Sequence, residues 1–152
     1  MKLKKDIRIS NDKAIIGLVF GIFFFIFGIT QCVIFFGIFK NISELLLIPQ
    51  DLIGGFVLIL IGLIFLMGYH ELRSGIPEGI AYLYVGIILS IFFMCIYFLI
   101  ILANSIEAYI FLNDDFKNWS PIEDLRPGIY ISIFTLIPLI YWRKKFTFRK
   151  KM

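Results

Sequence analysis

The chain has 152 residues, 60% of them hydrophobic and 17% charged, with a formal net charge of +4. Soluble domains are about 45–50% apolar, so this composition and a mean hydropathy of +0.92 exclude a water-soluble enzyme or a nucleic-acid-binding domain as the body of the chain. One histidine and two cysteines supply no ligand set for zinc or haem, and neither a metal nor a cofactor is expected.

The first 13 residues are polar and basic, with Lys2, Lys4, Lys5, Arg8 and Lys13. They resemble the charged region of a signal peptide. The apolar stretch that follows is far longer than the roughly 7–15 residues of a cleaved signal, and no small-x-small site follows it. It reads as an anchor that is retained. This first uncharged run covers residues 14–39. A helix rises about 1.5 Å per residue and a bilayer core is roughly 30 Å thick, so about 20 apolar residues cross it.

Residues 41–50 form a loop with an apolar stretch, Leu45 to Ile48, followed by Pro49. The second run covers 52–69. A short connector, His70 to Ile76, leads to Pro77 and Glu78, which suit the first turn of a third helix. The third span is placed at 79–102, inside an uncharged stretch reaching Ile106. The loop from Ala103 to Arg126 has a net charge of −3. Its Tyr109, Phe111, Phe116 and Trp119 are expected to hold it flat on the leaflet. The fourth run, 127–142, is short and contains Pro138, so a re-entrant segment is the alternative to a span. Tyr130, Tyr141 and Trp142 suit the interfaces. Six cations follow: Arg143, Lys144, Lys145, Arg149, Lys150 and Lys151.

Positive charge near span ends stays in the cytoplasm. With four spans and both termini inside, twelve of the 15 Lys and Arg residues lie on the inner side and three, Lys40, Lys117 and Arg126, on the outer. An odd number of spans would export one basic tail. The expectation is an all-α integral membrane protein: a single membrane domain over 1–152, a bundle of four transmembrane helices with both termini cytoplasmic, multi-pass in the cell membrane.

Three spans share a glycine spacing of seven: Gly21 with Gly28, Gly55 with Gly62, and Gly79 with Gly86. Seven residues are two helical turns, so each pair shares a face. In lipid, helices associate where small residues let backbones approach. Gly17 and Ser90 extend two of these faces, so Gly17, Gly21, Gly28, Gly55, Gly62, Gly79, Gly86 and Ser90 are the candidate packing positions. Phe24 is read as lipid-facing.

No Asp, Glu, Lys, Arg or His falls inside any run, which argues against proton pumps, ion-coupled carriers and voltage sensors. Gln31 is the most unusual residue at membrane depth. An interhelical hydrogen bond is the favoured reading, and a contact to a ligand or partner helix is the sharper one. Cys32 and Cys95 read as small apolar residues, since hydrocarbon disfavours the thiolate. His70, Glu71, Arg73 and Glu78 form the one mixed ionisable cluster and are read as a solvated loop open to a partner. The basic tails suit anionic lipid as well as topology. Asn41 and Asn118 match the glycosylation acceptor pattern, but closeness to the bilayer disfavours the first and Pro121 the second.

Nucleotide-binding and intramembrane hydrolase signatures are absent. The expected role is a non-catalytic accessory or scaffolding subunit of a membrane complex, its partners being the bilayer and other membrane subunits or itself, with no nucleic acid. A small oligomeric transporter or channel is the first alternative, and a membrane enzyme acting on lipid the second.

Overall fold

The computed structural model describes residues 2–37, 51–117, 119–122 and 124–143. The Asn41 and Asn118 acceptor sites, the Leu45 to Ile48 stretch and the tail beyond Arg143 lie outside these residues. Among them are four α-helices, α1 (Lys2–Phe35), α2 (Leu52–Arg73), α3 (Gly79–Tyr109) and α4 (Pro127–Arg143), and one short 3-10 turn at Asp114–Phe116. No strand occurs among the described residues. Three helices have apolar stretches long enough to cross a bilayer, at Asn11–Phe35, Leu52–Arg73 and Gly79–Tyr109. The fourth is a continuous 17-residue helix with Pro138 inside it, about 26 Å long.

The helices run alternately up and down. Gly28 faces Gly55 and Gly21 faces Gly62 between α1 and α2, Gly68 faces Gly79 between α2 and α3, and Ser90 meets Thr135 between α3 and α4. The start of α1 and the end of α4 therefore lie at the same end of the bundle.

Several boundaries differ from the sequence reading. The first helix does not end at residue 39. It closes at Phe35 with a turn at Gly37, whose φ is +82°, and at the other end it extends through the basic lead-in to Lys2. The second helix does not stop at Tyr69. It runs on to Arg73, where the Gly75 N–H donates to Leu72 and the Ile76 N–H to Glu71. These paired bonds, with Gly75 at a φ of +80°, satisfy the last carbonyls and end the helix. His70, Glu71 and Arg73 are therefore the last turn of α2, and only Glu78 belongs to the turn before α3. The third helix continues past residue 102 to Tyr109.

The buried face of α1 is a stripe of Ala14, Gly17, Gly21, Phe24, Gly28, Gln31 and Ile34. Its spacings of three and four residues are those of a coiled-coil seam. Phe24 is not lipid-facing. It is fully buried and stacks on Phe65 of α2 with ring centroids 5.8 Å apart. Three residues separate Gly21 from Phe24, less than one turn, so the glycine face carries Phe24 inward.

Candidate functional site

Four polar side chains, Gln31 of α1, Tyr97 of α3 and the residues just before α2 and α4, lie together at the end of the bundle where α2 and α4 begin. Asp51 caps α2: its Oδ1 accepts from the Gly54 N–H at 2.9 Å, satisfying one of the donors that a helix start leaves open. Its Oδ2 accepts from the Arg126 guanidinium, immediately before α4. That guanidinium lies over the ring of Tyr97 from α3, 5.1 Å from the centroid, a cation–π arrangement. The Tyr97 ring packs in turn on Gly128, where a Cβ would lie 2.6 Å from it. Gly54 is the floor of this layer. A Cβ there would come within 2.6 Å of Asp51 Oδ2, 2.7 Å of the Tyr97 hydroxyl and 2.9 Å of Gln31 Nε2.

Gln31 is 1% exposed, and both its amide atoms lack a hydrogen-bond partner among the described residues. The expected interhelical hydrogen bond is therefore not made there. The amide stands beside the Asp51–Arg126 pair without closing onto it. Its neighbour Cys32 packs on Gly55, while Cys95 is exposed on α3; both thiols are free.

A second polar contact lies deeper. Ser90 and Thr135 are fully buried, with their hydroxyls 2.9 Å apart. Each hydroxyl also lies within hydrogen-bond distance of a carbonyl on its own helix, Ser90 of Ile87 at 2.8 Å and Thr135 of Ser132 at 2.7 Å; with one proton each, one hydroxyl donates across to the other, and the one that accepts donates to its own carbonyl. The Ser132 hydroxyl, also buried, has no partner among the described residues.

The glycines expected at helix contacts lie as follows. A Cβ on Gly28 would sit 2.7 Å from the Ile59 nitrogen and 2.8 Å from the Gly55 carbonyl, and one on Gly62 would sit 2.7 Å from the Phe25 nitrogen. Gly55 faces Gly28, Gly21 faces Leu66, Gly79 faces Gly68 and Leu72, Gly17 meets Phe65 and Leu83, and Gly86 lies on the Phe65 ring. Backbones meet directly along α1–α2 and at the start of α3. At Gly86 an aromatic side chain fills the space.

At the opposite end, His70, Glu71, Arg73 and Glu78 do not form one site. They are split between the final turn of α2 and the turn before α3, and no ion pair links them. Beyond the polar layer, α3 and the following loop fold on each other rather than lying open. Asp124 accepts from Asn104 at 2.6 Å and from the Trp119 indole at 2.9 Å. The Trp119 ring meets Tyr109 and Phe116 at 6.2 and 6.4 Å. Phe111 alone of the four expected anchors makes no such contact and is exposed. No group of three or more metal-ligating residues occurs among the described residues.

Asp51, Tyr97 and Arg126 were not among the sequence candidates. A signal for two of them was present. Asp51 and Arg126 are each the last charge before an apolar run, and alternating helices bring those two run starts to the same end. Tyr97 carries no sequence mark that separates it from the other tyrosines.

These features define a class: an all-α integral membrane domain whose polar groups tie helices together. The chain belongs to the MJ0565 integral membrane domain family, whose model matches residues 8–144. Neither a curated protein nor a solved structure matches it.

Proposed function

We propose that this membrane domain is a non-catalytic subunit of a larger complex in the cell membrane, with both termini cytoplasmic. The observation that carries the reading is the length of α3. Gly79 to Tyr97 covers about 27 Å, close to a hydrocarbon core of about 30 Å. Tyr97 is already level with the Asp51–Arg126 pair, yet the helix continues for twelve residues to Tyr109, about 18 Å more. Headgroups account for only about 5–8 Å of that on one side.

The overhang keeps an apolar stripe. Leu99, Leu102, Ile106 and Tyr109, spaced by three and four residues, are all exposed, and Ile110 to Leu112 follow at 68–75% exposure. Outside lipid, contiguous apolar surface marks an interaction site. A stripe at this spacing suits a partner helix. The polar contacts of the bundle are packed and internal, which supports tying helices together rather than turning over a substrate.

Native mass spectrometry of the tagged protein, taken from its own membrane in a mild detergent, tests this. A heteromeric mass that is lost in Leu102→Arg, while the melting temperature of the isolated chain is kept, is the expected result. A homo-oligomer that retains its mass in Leu102→Arg would overturn it. Flux assays in liposomes would then weigh the self-contained channel or carrier instead.

A further inference from the structure

The contact between α1 and α4 is open where the contact between α1 and α2 is closed. Val19, Phe20, Phe23 and Phe27 of α1 face Tyr130, Ile131 and Phe134 of α4 across a cavity of about 410 Å³. A second cavity of about 270 Å³ shares Phe20 and Phe134 and continues to Ile16, Ile137 and Pro138. Together they make one groove from Ile16 to Phe27. At its far end the edge-to-face pair Phe27–Tyr130, with centroids 6.0 Å apart, closes it. Val19, Phe23, Phe134 and Ile137 are each 44–65% exposed, so the groove opens sideways toward the surrounding lipid.

The twelve helical residues from Ile16 to Phe27 span about 16 Å through the middle of the bundle, about half the thickness of a hydrocarbon core. The walls of the groove are apolar and aromatic, and at that depth the available filler is hydrocarbon, not water. Its open end points to the end of the bundle where α1 starts and α4 finishes. The first of these helices also carries a basic segment: the twelve residues before Lys13 hold Lys2, Lys4, Lys5 and Arg8 against Asp6 and Asp12, all within α1.

We infer that the α1–α4 groove is a site for an anionic phospholipid, one acyl chain lying along Phe20 and Phe134 and the phosphate meeting the cations at the open end. Acyl burial in the groove and charge at its mouth act on the two ends of the same molecule. Basic residues near a membrane surface contribute about 1 kcal/mol each toward anionic lipid. An acyl groove alone does not discriminate between headgroups. The pairing predicts both selectivity for the anionic lipid and sensitivity to the shape of the groove.

The test is native mass spectrometry of the delipidated full chain titrated with phosphatidylglycerol or phosphatidylcholine, with melting temperature followed in parallel. The expected result is a single retained phosphatidylglycerol, at least about tenfold tighter than phosphatidylcholine. Val19→Trp, which fills the groove, should abolish retention of both lipids while leaving the lipid-free melting temperature unchanged. Ile137→Trp fills it from the opposite wall and serves if Val19→Trp does not fold. Lys4→Gln with Lys5→Gln and Arg8→Gln should remove the preference but not the phosphatidylcholine-level binding. Equal retention of the two lipids by the wild-type chain would overturn the proposal. Undiminished phosphatidylglycerol binding in both groove-filling variants would overturn it too, because the basic segment would then be acting without the groove.

Discussion

Helix α1 packs against α2 and α4 and treats them in opposite ways. Against α2 it offers glycines, and the backbones close until a methyl group at Gly28 or Gly62 would lie within 2.8 Å of main-chain atoms. Against α4 it offers phenylalanines, and an open groove remains. The residue types account for the difference. A glycine face lets two helix axes approach, and in lipid that approach is itself the attraction, through close van der Waals packing. Phenylalanines at Phe20, Phe23 and Phe27 hold α4 off, so α4 needs other attachments. It has them in the Arg126–Asp51 pair, the Tyr97 ring on Gly128 and the Ser90–Thr135 contact. One pair of helices is joined by backbone shape, and the fourth helix by side-chain polarity.

The largest expected effect comes from breaking the shape-based side. Gly62→Leu places a side chain where the Phe25 nitrogen and the Gly21 carbonyl already stand within 3.0 Å of a Cβ. Neither is the end of a flexible side chain, so α1 and α2 must separate. Overpacking a close-fitted site costs about 1–3 kcal/mol and occasionally more, and here the upper part of that range is expected. Ile26→Leu, on the exposed side of α1, should change stability by no more than about 0.5 kcal/mol. Thermal unfolding in detergent measures both. If the two variants melt alike, the seam does not hold α1 to α2.

How much of this was legible beforehand follows the same division. The shared spacing of seven marked which faces carry glycine, because period and face are fixed by helix geometry. The same arithmetic places Phe24 on the glycine face, so its burial is readable from the spacing and the lipid-facing expectation runs against it. Helix ends were less legible. His70 to Arg73 look like a loop because they are charged. The signal that ends α2 is Gly75, whose left-handed conformation closes the last carbonyls. The polar layer was hardest to see. Asp51 and Arg126 are 75 residues apart in the chain, and only the alternation of helices brings them together. Which tyrosine would meet Arg126 depends on the rotation of α3, and no sequence period specifies that.

The polarity-based side is broken by Arg126→Gln, with a smaller effect. The variant keeps a donor but loses the charge that faces Asp51, whose other oxygen still caps α2. Both side chains of the pair are about one-fifth exposed, so solvent screens part of the interaction. A loss of about 1–2 kcal/mol is expected, between an exposed pair and a buried one. Adding Asp51→Asn should cost less than the sum of the two single changes, since neither charge is then left alone. Full additivity in that cycle would mean that the pair does not fasten α4 to the start of α2.

The smallest effect sharpens the comparison, because it concerns a polar residue on the shape-based side. Gln31 lies on the same stripe of α1 as Gly21, Phe24 and Gly28, yet it carries an amide into that contact. Leaving a buried donor and acceptor unmet costs about 1–3 kcal/mol in water-referenced measurements. The cost is smaller when the unfolded reference also lies in lipid, where it finds partners too. Gln31→Met keeps the length of the side chain and removes both polar atoms. In the isolated bundle it should therefore raise stability by about 0.5–1 kcal/mol, the opposite sign from Gly62→Leu three turns away on the facing helix. A fall in melting temperature of the isolated chain would show that the amide does bonding work inside the bundle, and the seam would then be partly polar. A rise in the isolated chain together with weaker assembly in the native membrane would place the amide's partner outside this chain, beside the end from which α3 projects.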